Sequence, residues 1–136
     1  MLSSSESISK ISVALVAASK NIGGAVKGSI NPHFKSRYAN LTGILEAVKG
    51  PLEEQDIIIL QPIRTDAEGK SYLETRLLHS SGEFIASHIL LDISGKAQEF
   101  GSRISYLRRY QLQSLLSIPA LDDDAEGTMQ RGQTRD

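Results

Sequence analysis

Residues Tyr72–Leu91 read YLETRLLHSSGEFIASHILL, and Lys96–Leu116, just beyond, read KAQEFGSRISYLRRYQLQSLL. The first stretch sets two runs rich in aliphatic residues around a small polar break. Such a pattern predicts two strands, Tyr72–His79 and Glu83–Leu91. A two-residue turn at Ser81-Gly82 would pair Leu73 with Leu90, Thr75 with His88 and Leu77 with Ala86. Those six then form the core face, and Glu74 and Arg76 point to a wetter one. The second stretch has a helical period. At about 100° per residue, Phe100, Ile104, Leu107 and Leu115 fall on one side. Gln98, Ser102, Ser105 and Arg109 fall opposite, and Glu99, Arg103, Tyr106 and Tyr110 line a stripe between. Two antiparallel strands followed by a long helix are the nucleus of the fold.

Working outward, Ile57–Ile63 is β-branched and apolar and predicts a third strand, joined to the hairpin by a polar turn, Thr65–Ser71. Upstream, Ser3–Ser5 with Glu6 has the chemistry of a helix start, since a hydroxyl caps an orphan amide and an acid suits the positive end. Ile8, Ile11, Leu15, Ala18 and Ile22 continue it on one stripe, and Gly23-Gly24 should end it. Leu41, Ile44, Leu45 and Val48 predict a second helix capped by Asn40, with Pro51 ending or kinking it. The order is α, α, β, β, β, α. This is an α+β chain with N-terminal helices, a three-stranded antiparallel sheet and a long basic helix. Residues 1–127 read as one domain and 128–136 as a flexible polar tail.

The chain has 136 residues, enough for a self-supporting core. It has no cysteine, which excludes disulfides, zinc-thiolate sites and thiol nucleophiles. The longest apolar runs are Val13–Ala18 and Ile57–Leu60, too short to span a bilayer. No basic start followed by an apolar stretch marks a signal peptide, so a cytosolic protein is expected. The net charge of −1 conceals alternation: residues 1–50 carry +4, 51–94 carry −5, 95–110 carry +3 and 111–136 carry −3. Two basic blocks that meet in space would make an electrostatic footprint for a polyanion.

Several chemistries fail on inspection. Gly69-Lys70-Ser71 mimics the end of a phosphate-binding loop, but Arg64 stands where the first glycine is needed and no helix follows. Asp122, Asp124 and Glu126 begin a calcium-loop pattern, but Gln133 occupies the closing position. His33, His79 and His88 are too scattered for a metal site, and no serine sits in a nucleophile elbow. No cofactor, no metal and no enzymatic chemistry is expected.

What remains is basic and aromatic. The C-terminal helix carries Arg103, Arg108 and Arg109 with Tyr106 and Tyr110, beside small Gly101, Ser102 and Ser105. Arginine grips phosphate through a planar fork, and tyrosine can stack on an unpaired base. Lys27, His33, Phe34, Lys35, Arg37 and Tyr38 repeat the theme in a loop. Three arginines on one helix cannot all face the same way, so at least one serves a subunit interface or an acidic partner such as Glu99.

The ordered set Asn31-Pro32-His33-Phe34-Lys35-Ser36-Arg37-Tyr38-Ala39-Asn40-Leu41, Pro51-Leu52, Gln61, Gly82-Glu83, Gln98, Gly101-Ser102, Ser105-Tyr106-Leu107-Arg108-Arg109-Tyr110 and Asp122-Asp123-Asp124 resembles the ERF (essential recombination function) family of phage single-strand annealing proteins. The helix pattern Gly-Ser-x-x-(Thr/Ser)-Tyr-x-x-Arg-Tyr is its strongest part. Ser105 departs from the more usual threonine, Leu116-Ser117-Ile118 from a Phe-Gly-Ile-like segment, and Asp124-Ala125-Glu126-Gly127 from a tighter Asp-Asp-Gly ending. The resemblance implies ATP-independent binding of single-stranded DNA and annealing of complementary strands in phage homologous recombination, with a protective binding protein as the alternative. It also implies a β-β-β-α core similar to that of the eukaryotic annealing proteins, a homo-oligomeric ring or filament, and action in the cytoplasm of the bacterial host. A phage exonuclease and the host single-strand binding protein are further partners it brings into view. On this reading Arg103, Arg108, Arg109, Lys35, Arg37 and Lys27 contact phosphates, and Tyr106 and Tyr38 stack on bases.

Overall fold

A computed structural model of the chain describes residues 2–28, 30–31, 36–37 and 41–118, with 24–28, 30–31 and 36–37 given by backbone alone. The described order is β1 (Leu2–Ser4), α1 (Ser9–Gly28), β2 (Ile30–Asn31), β3 (Ser36–Arg37), α2 (Leu41–Glu53), β4 (Ile57–Leu60), β5 (Ile63–Thr65), β6 (Ser71–His79), β7 (Phe84–Leu91) and α3 (Ala97–Leu115). The class is α+β. Three helices pack with a five-stranded antiparallel sheet of order β1-β7-β6-β4, β5 also pairing with β6, and β2 and β3 form a separate two-stranded ribbon.

The core follows the apolar stripes. Ile11, Ala14, Ala18 and Ile22 of α1 meet Ile44, Ala47, Val48 and Leu52 of α2, Ile57 of β4, Leu77 of β6 and Leu112 of α3. Most of these lie on the face their helical or strand period predicts, but fully buried Leu112 falls outside the Phe100–Leu115 stripe, and Ile8 of the α1 stripe is exposed.

Several expectations need correction. Leu2–Ser4 is not a helix start but an edge strand on β7, with Ser3 opposite Ala86. Open ladder groups on β7 offer these residues partners that an isolated helical turn would lack. The end of α1 comes at Gly28, past Gly23-Gly24, since packing of the Ile11–Ile22 stripe outweighs a glycine cost of about 1 kcal/mol each. The cap of α1 comes from far away in sequence: the Glu83 carboxylate accepts the amides of Lys10 and Ile11, both at 2.8 Å. Those bonds, Ile11's first, hold the Glu83 carboxyl below its ordinary value against the opposing effect of burial. Pro51 lies inside α2 rather than at its end. Fully buried Leu52 holds the last turn in place, and Asp56 in the left-handed region (φ 61°) closes it. The predicted single strand Ile57–Ile63 is two, broken at Gln61-Pro62.

The hairpin differs by one residue. The Gly82 amide donates to the His79 carbonyl and the His79 amide to the Glu83 carbonyl, both at 2.9 Å, and Gly82 sits at φ +94°, so the loop has three residues with glycine at its left-handed position. The observed pairs are Leu73 with Ile89, Thr75 with Ser87 and Leu77 with Ile85. A one-residue slip exchanges the faces of one strand. Leu90 and His88 therefore leave the core face; Leu90 is exposed, and His88 stands opposite Glu74. Glu74 itself is fully buried, not wet, beneath Arg64 and Arg76.

Candidate nucleic-acid interface

Helix α3 is fixed at its start by a loop built around Asp92 and Gly95. The Asp92 carboxylate accepts the Ser94 hydroxyl at 2.7 Å and the Ser94 amide at 2.9 Å. These bonds, hydroxyl first, hold the Asp92 carboxyl below its ordinary value. Gly95 takes φ +92°, and a Cβ there would stand 2.8 Å from Glu99 Oε1. Glu99 itself folds back on the Lys96 amide. Arg103 completes the loop: its Nε and Nη2 donate to the Asp92 carbonyl at 3.1 and 2.9 Å, and Nη2 also reaches the Ser94 carbonyl. Most of its fork is therefore occupied by its own chain.

Further along, α3 is stitched to the sheet by a buried polar track. Arg108 Nε donates to Gln61 Oε1 at 2.9 Å. Gln61 Nε2 donates to the Arg108 carbonyl at 3.1 Å and to Thr75 Oγ1 at 2.9 Å. Thr75 Oγ1 donates to Gln111 Oε1 at 2.9 Å, and Gln111 Nε2 donates to Ser87 Oγ at 3.3 Å. Thr75 is fully buried and Gln111 nearly so, so each polar atom needs its partner. The break at Gln61-Pro62 releases Gln61 from the ladder and lets it turn toward the helix. Arg108 also lines a cleft of about 530 Å³ with Thr42, Lys49 and Glu53.

The outward side of α3 carries the aromatic and cationic groups. Tyr106 and Tyr110 are about half exposed and lie one turn apart, their rings 6.1 Å apart and within 10° of parallel. The Arg109 guanidinium lies 5.5 Å from the Tyr106 ring centroid. Tyr110 also borders a cleft of about 380 Å³ toward β1 and β7, beside Leu2 and His88. A row of parallel aromatic faces with a guanidinium over one of them can receive flat, unpaired bases in any sequence and a phosphate beside them.

Of the residues singled out from sequence, the structure brings Tyr106 and Arg109 together with Tyr110. It turns Arg103 onto the β7–α3 loop and ties Arg108 to Gln61. Lys27 lies in the last turn of α1 and Arg37 in β3, their side chains outside the described residues, as are Lys35, Tyr38 and Asp122–Asp124 altogether. Gln61, Thr75 and Gln111 went unread as a unit, though a glutamine on the buried stripe of α3 was the available signal. Among the described residues, no group of three His, Cys, Asp or Glu side chains is placed to hold a metal ion, and no helix is long and apolar enough to cross a membrane.

Comparison with known proteins agrees with the sequence pattern. A family model described as the ERF superfamily matches residues 11–136, nearly the whole chain. No curated protein and no solved structure matches it. The match spans α2, α3, all but the first two residues of α1 and all of the sheet but its first strand, and it includes the Gly101–Tyr110 segment that presents the stacked tyrosines. The chain belongs to the ERF superfamily, which places it among phage recombination proteins.

Proposed function

We propose that this protein binds single-stranded DNA and anneals complementary strands without nucleotide hydrolysis, in phage homologous recombination within the bacterial host cytoplasm. The observation that carries the reading is the array of half-exposed, stacked Tyr106 and Tyr110 with Arg109 beside them, in a chain of the ERF superfamily. Tyr106 and Tyr110 stack on bases, and Arg109 holds the adjacent phosphate. Arg108 and Arg103 contribute positive potential beside them while anchoring α3. Lys27, Lys35, Arg37 and Tyr38 extend the same track. The unit is 1–127, working as a homo-oligomeric ring or filament that multiplies weak contacts through avidity.

The magnitudes favour hand-over of the strand. Stacking on a protein aromatic is worth about 1–3 kcal/mol per base, and each base-pair step formed returns about 1.4 kcal/mol. A subunit holding one or two bases is outweighed once pairing extends over several steps. Phosphate contacts carry no base information, so annealing is indifferent to sequence.

The test is annealing of two complementary labelled oligonucleotides without nucleotide, at low and high salt. Acceleration that fades with salt is expected, through counterion release. Tight binding with no acceleration would replace annealing by strand protection, and no binding at either salt would refute the reading. Steady cleavage of labelled DNA with magnesium would show that an enzyme had been missed.

A further inference from the structure

The sheet has a second face, turned away from α3, and its centre is unusual. Glu74 lies on that face with its side chain fully buried. Its two carboxylate oxygens accept from different arginines: Arg64 Nε at 2.5 Å and Arg76 Nε at 2.7 Å. Both arginines use only Nε in these bonds. Their terminal nitrogens take no other hydrogen bond among the described residues. Arg64 comes from β5 and Arg76 from β6, so the pairing of these strands brings them to one carboxylate. The Arg76 guanidinium carbon also lies over the Phe84 ring, 3.8 Å from its centroid, a second contact that helps hold it in place. Arg64 remains 55% exposed. His88 Nε2 stands 3.9 Å from the same carboxylate.

Stability alone does not account for this cluster. One arginine would neutralise Glu74, and replacing a buried ionic triad by apolar side chains is often neutral or stabilising. What two arginines on one carboxylate do achieve is orientation. Each guanidinium is held at its Nε, its terminal donors stay available, and the cluster keeps a net charge of one positive unit. Two pre-oriented guanidiniums with surplus charge suit a tetrahedral oxyanion, which can take donors from both.

We propose that Arg64 and Arg76, positioned by Glu74, form a phosphate-binding fork on the sheet face opposite α3. Its ligand is a phosphate group. Only the choice of a nucleic-acid phosphodiester as the source rests on the function proposed above. Glu74 is a positioning residue and does not touch the ligand.

The experiment is NMR of the 15N-labelled full chain, following the arginine Nε–Hε signals. One arm titrates inorganic phosphate against chloride at matched ionic strength, and the other titrates a thymidine oligonucleotide. The Arg64 and Arg76 signals are expected to move together and saturate with phosphate, and chloride should not reproduce the shift. Glu74→Gln, nearly isosteric, should abolish the common response, and Arg64→Lys should keep charge but weaken it. With the oligonucleotide, Arg64→Ala should lower the slope of log affinity against log salt by about 0.7, one single-strand phosphate. Movement of both signals with phosphate but not with DNA would support the fork while removing the nucleic-acid source. Movement of the Arg109 signal with DNA, while Arg64 and Arg76 answer phosphate no more than chloride, would overturn the fork and leave the function proposed for α3 standing.

Discussion

Thr75→Val tests whether the buried polar track fixes α3 to the sheet. The change is nearly isosteric and deletes one hydroxyl. In the native chain that hydroxyl donates to Gln111 Oε1 and accepts from Gln61 Nε2, both at 2.9 Å. After substitution Gln61 Nε2 keeps the Arg108 carbonyl at 3.1 Å, so it is not orphaned. Gln111 Oε1 loses its partner inside the protein, where the residue is only 5% exposed. An unsatisfied buried acceptor costs about 1–3 kcal/mol, so the expected loss is about 2 kcal/mol. In urea the midpoint should fall with an unchanged slope, and Tm should drop by about 4–10 °C. The same reasoning gives the rescue. Thr75→Val with Gln111→Met replaces both partners by apolar groups of similar shape, and the pair should cost less than the sum of the singles by about 1 kcal/mol or more. A loss below about 0.5 kcal/mol for Thr75→Val, or strict additivity in the double variant, would refute the idea that this track is satisfied and coupled.

Four further outcomes follow from the same structure. Burial raises the Glu74 carboxyl, but the hydrogen bonds and charges of Arg64 and Arg76 outweigh it and hold it below its ordinary value of 4.5. Its stabilising contribution is therefore complete above that value and lost as pH falls through the lowered native one. Urea unfolding of wild type and Glu74→Gln should thus converge on acidification, and a difference that stays flat from neutral pH to pH 3 would contradict the pairing. Ser117 sits in the left-handed region (φ 57°) just past α3, where the Ile118 amide donates to the Gln113 carbonyl at 2.8 Å. Ser117→Gly should raise stability by about 1 kcal/mol, read as an increase in urea midpoint. Gly95→Ala, at φ +92° and against Glu99, should lower stability by about 1–2 kcal/mol by the same assay, and a neutral result would show that the loop gives way. Tyr106→Ala should weaken oligonucleotide affinity at least fivefold by the stacking term, with little change in Tm because the ring is about half exposed, whereas Tyr106→Phe should leave affinity nearly intact; equal losses in both would assign the effect to the hydroxyl.

The two faces of the sheet divide the chemistry. The helix-covered face uses its polar groups inward, to hold α3 at one height over β6 and β7. The tyrosines and Arg109 can then be presented outward without weakening the core. Arg103 and Arg108 illustrate the same economy, since each places positive charge near the interface while its Nε is held by the fold.

Much of this was legible without coordinates. The apolar stripes of α1, α2 and α3 come directly from residue spacing, because helical period alone decides which side chains share a face. The hairpin strands and the turn at Thr65–Ser71 came the same way, and the ordered motif from Asn31 to Asp124 placed the chain in its family. Register was not legible, because a two-residue and a three-residue loop fit the same letters Ser-Ser-Gly, and only the ladder chooses. That choice put His88 opposite Glu74 and exposed Leu90, while the separate pairing of β5 with β6 brought Arg64 to the carboxylate that Arg76 also holds. Nor could spacing show that Glu83 caps a helix more than seventy residues earlier, or that Leu2–Ser4 would pair with β7. Sequence by itself determined the periods, and hence which residues of one element share a face. Tertiary structure decided how the α3 arginines are tied to the fold, because a partner elsewhere in the chain, the Asp92 carbonyl for Arg103 and Gln61 for Arg108, takes up the guanidinium.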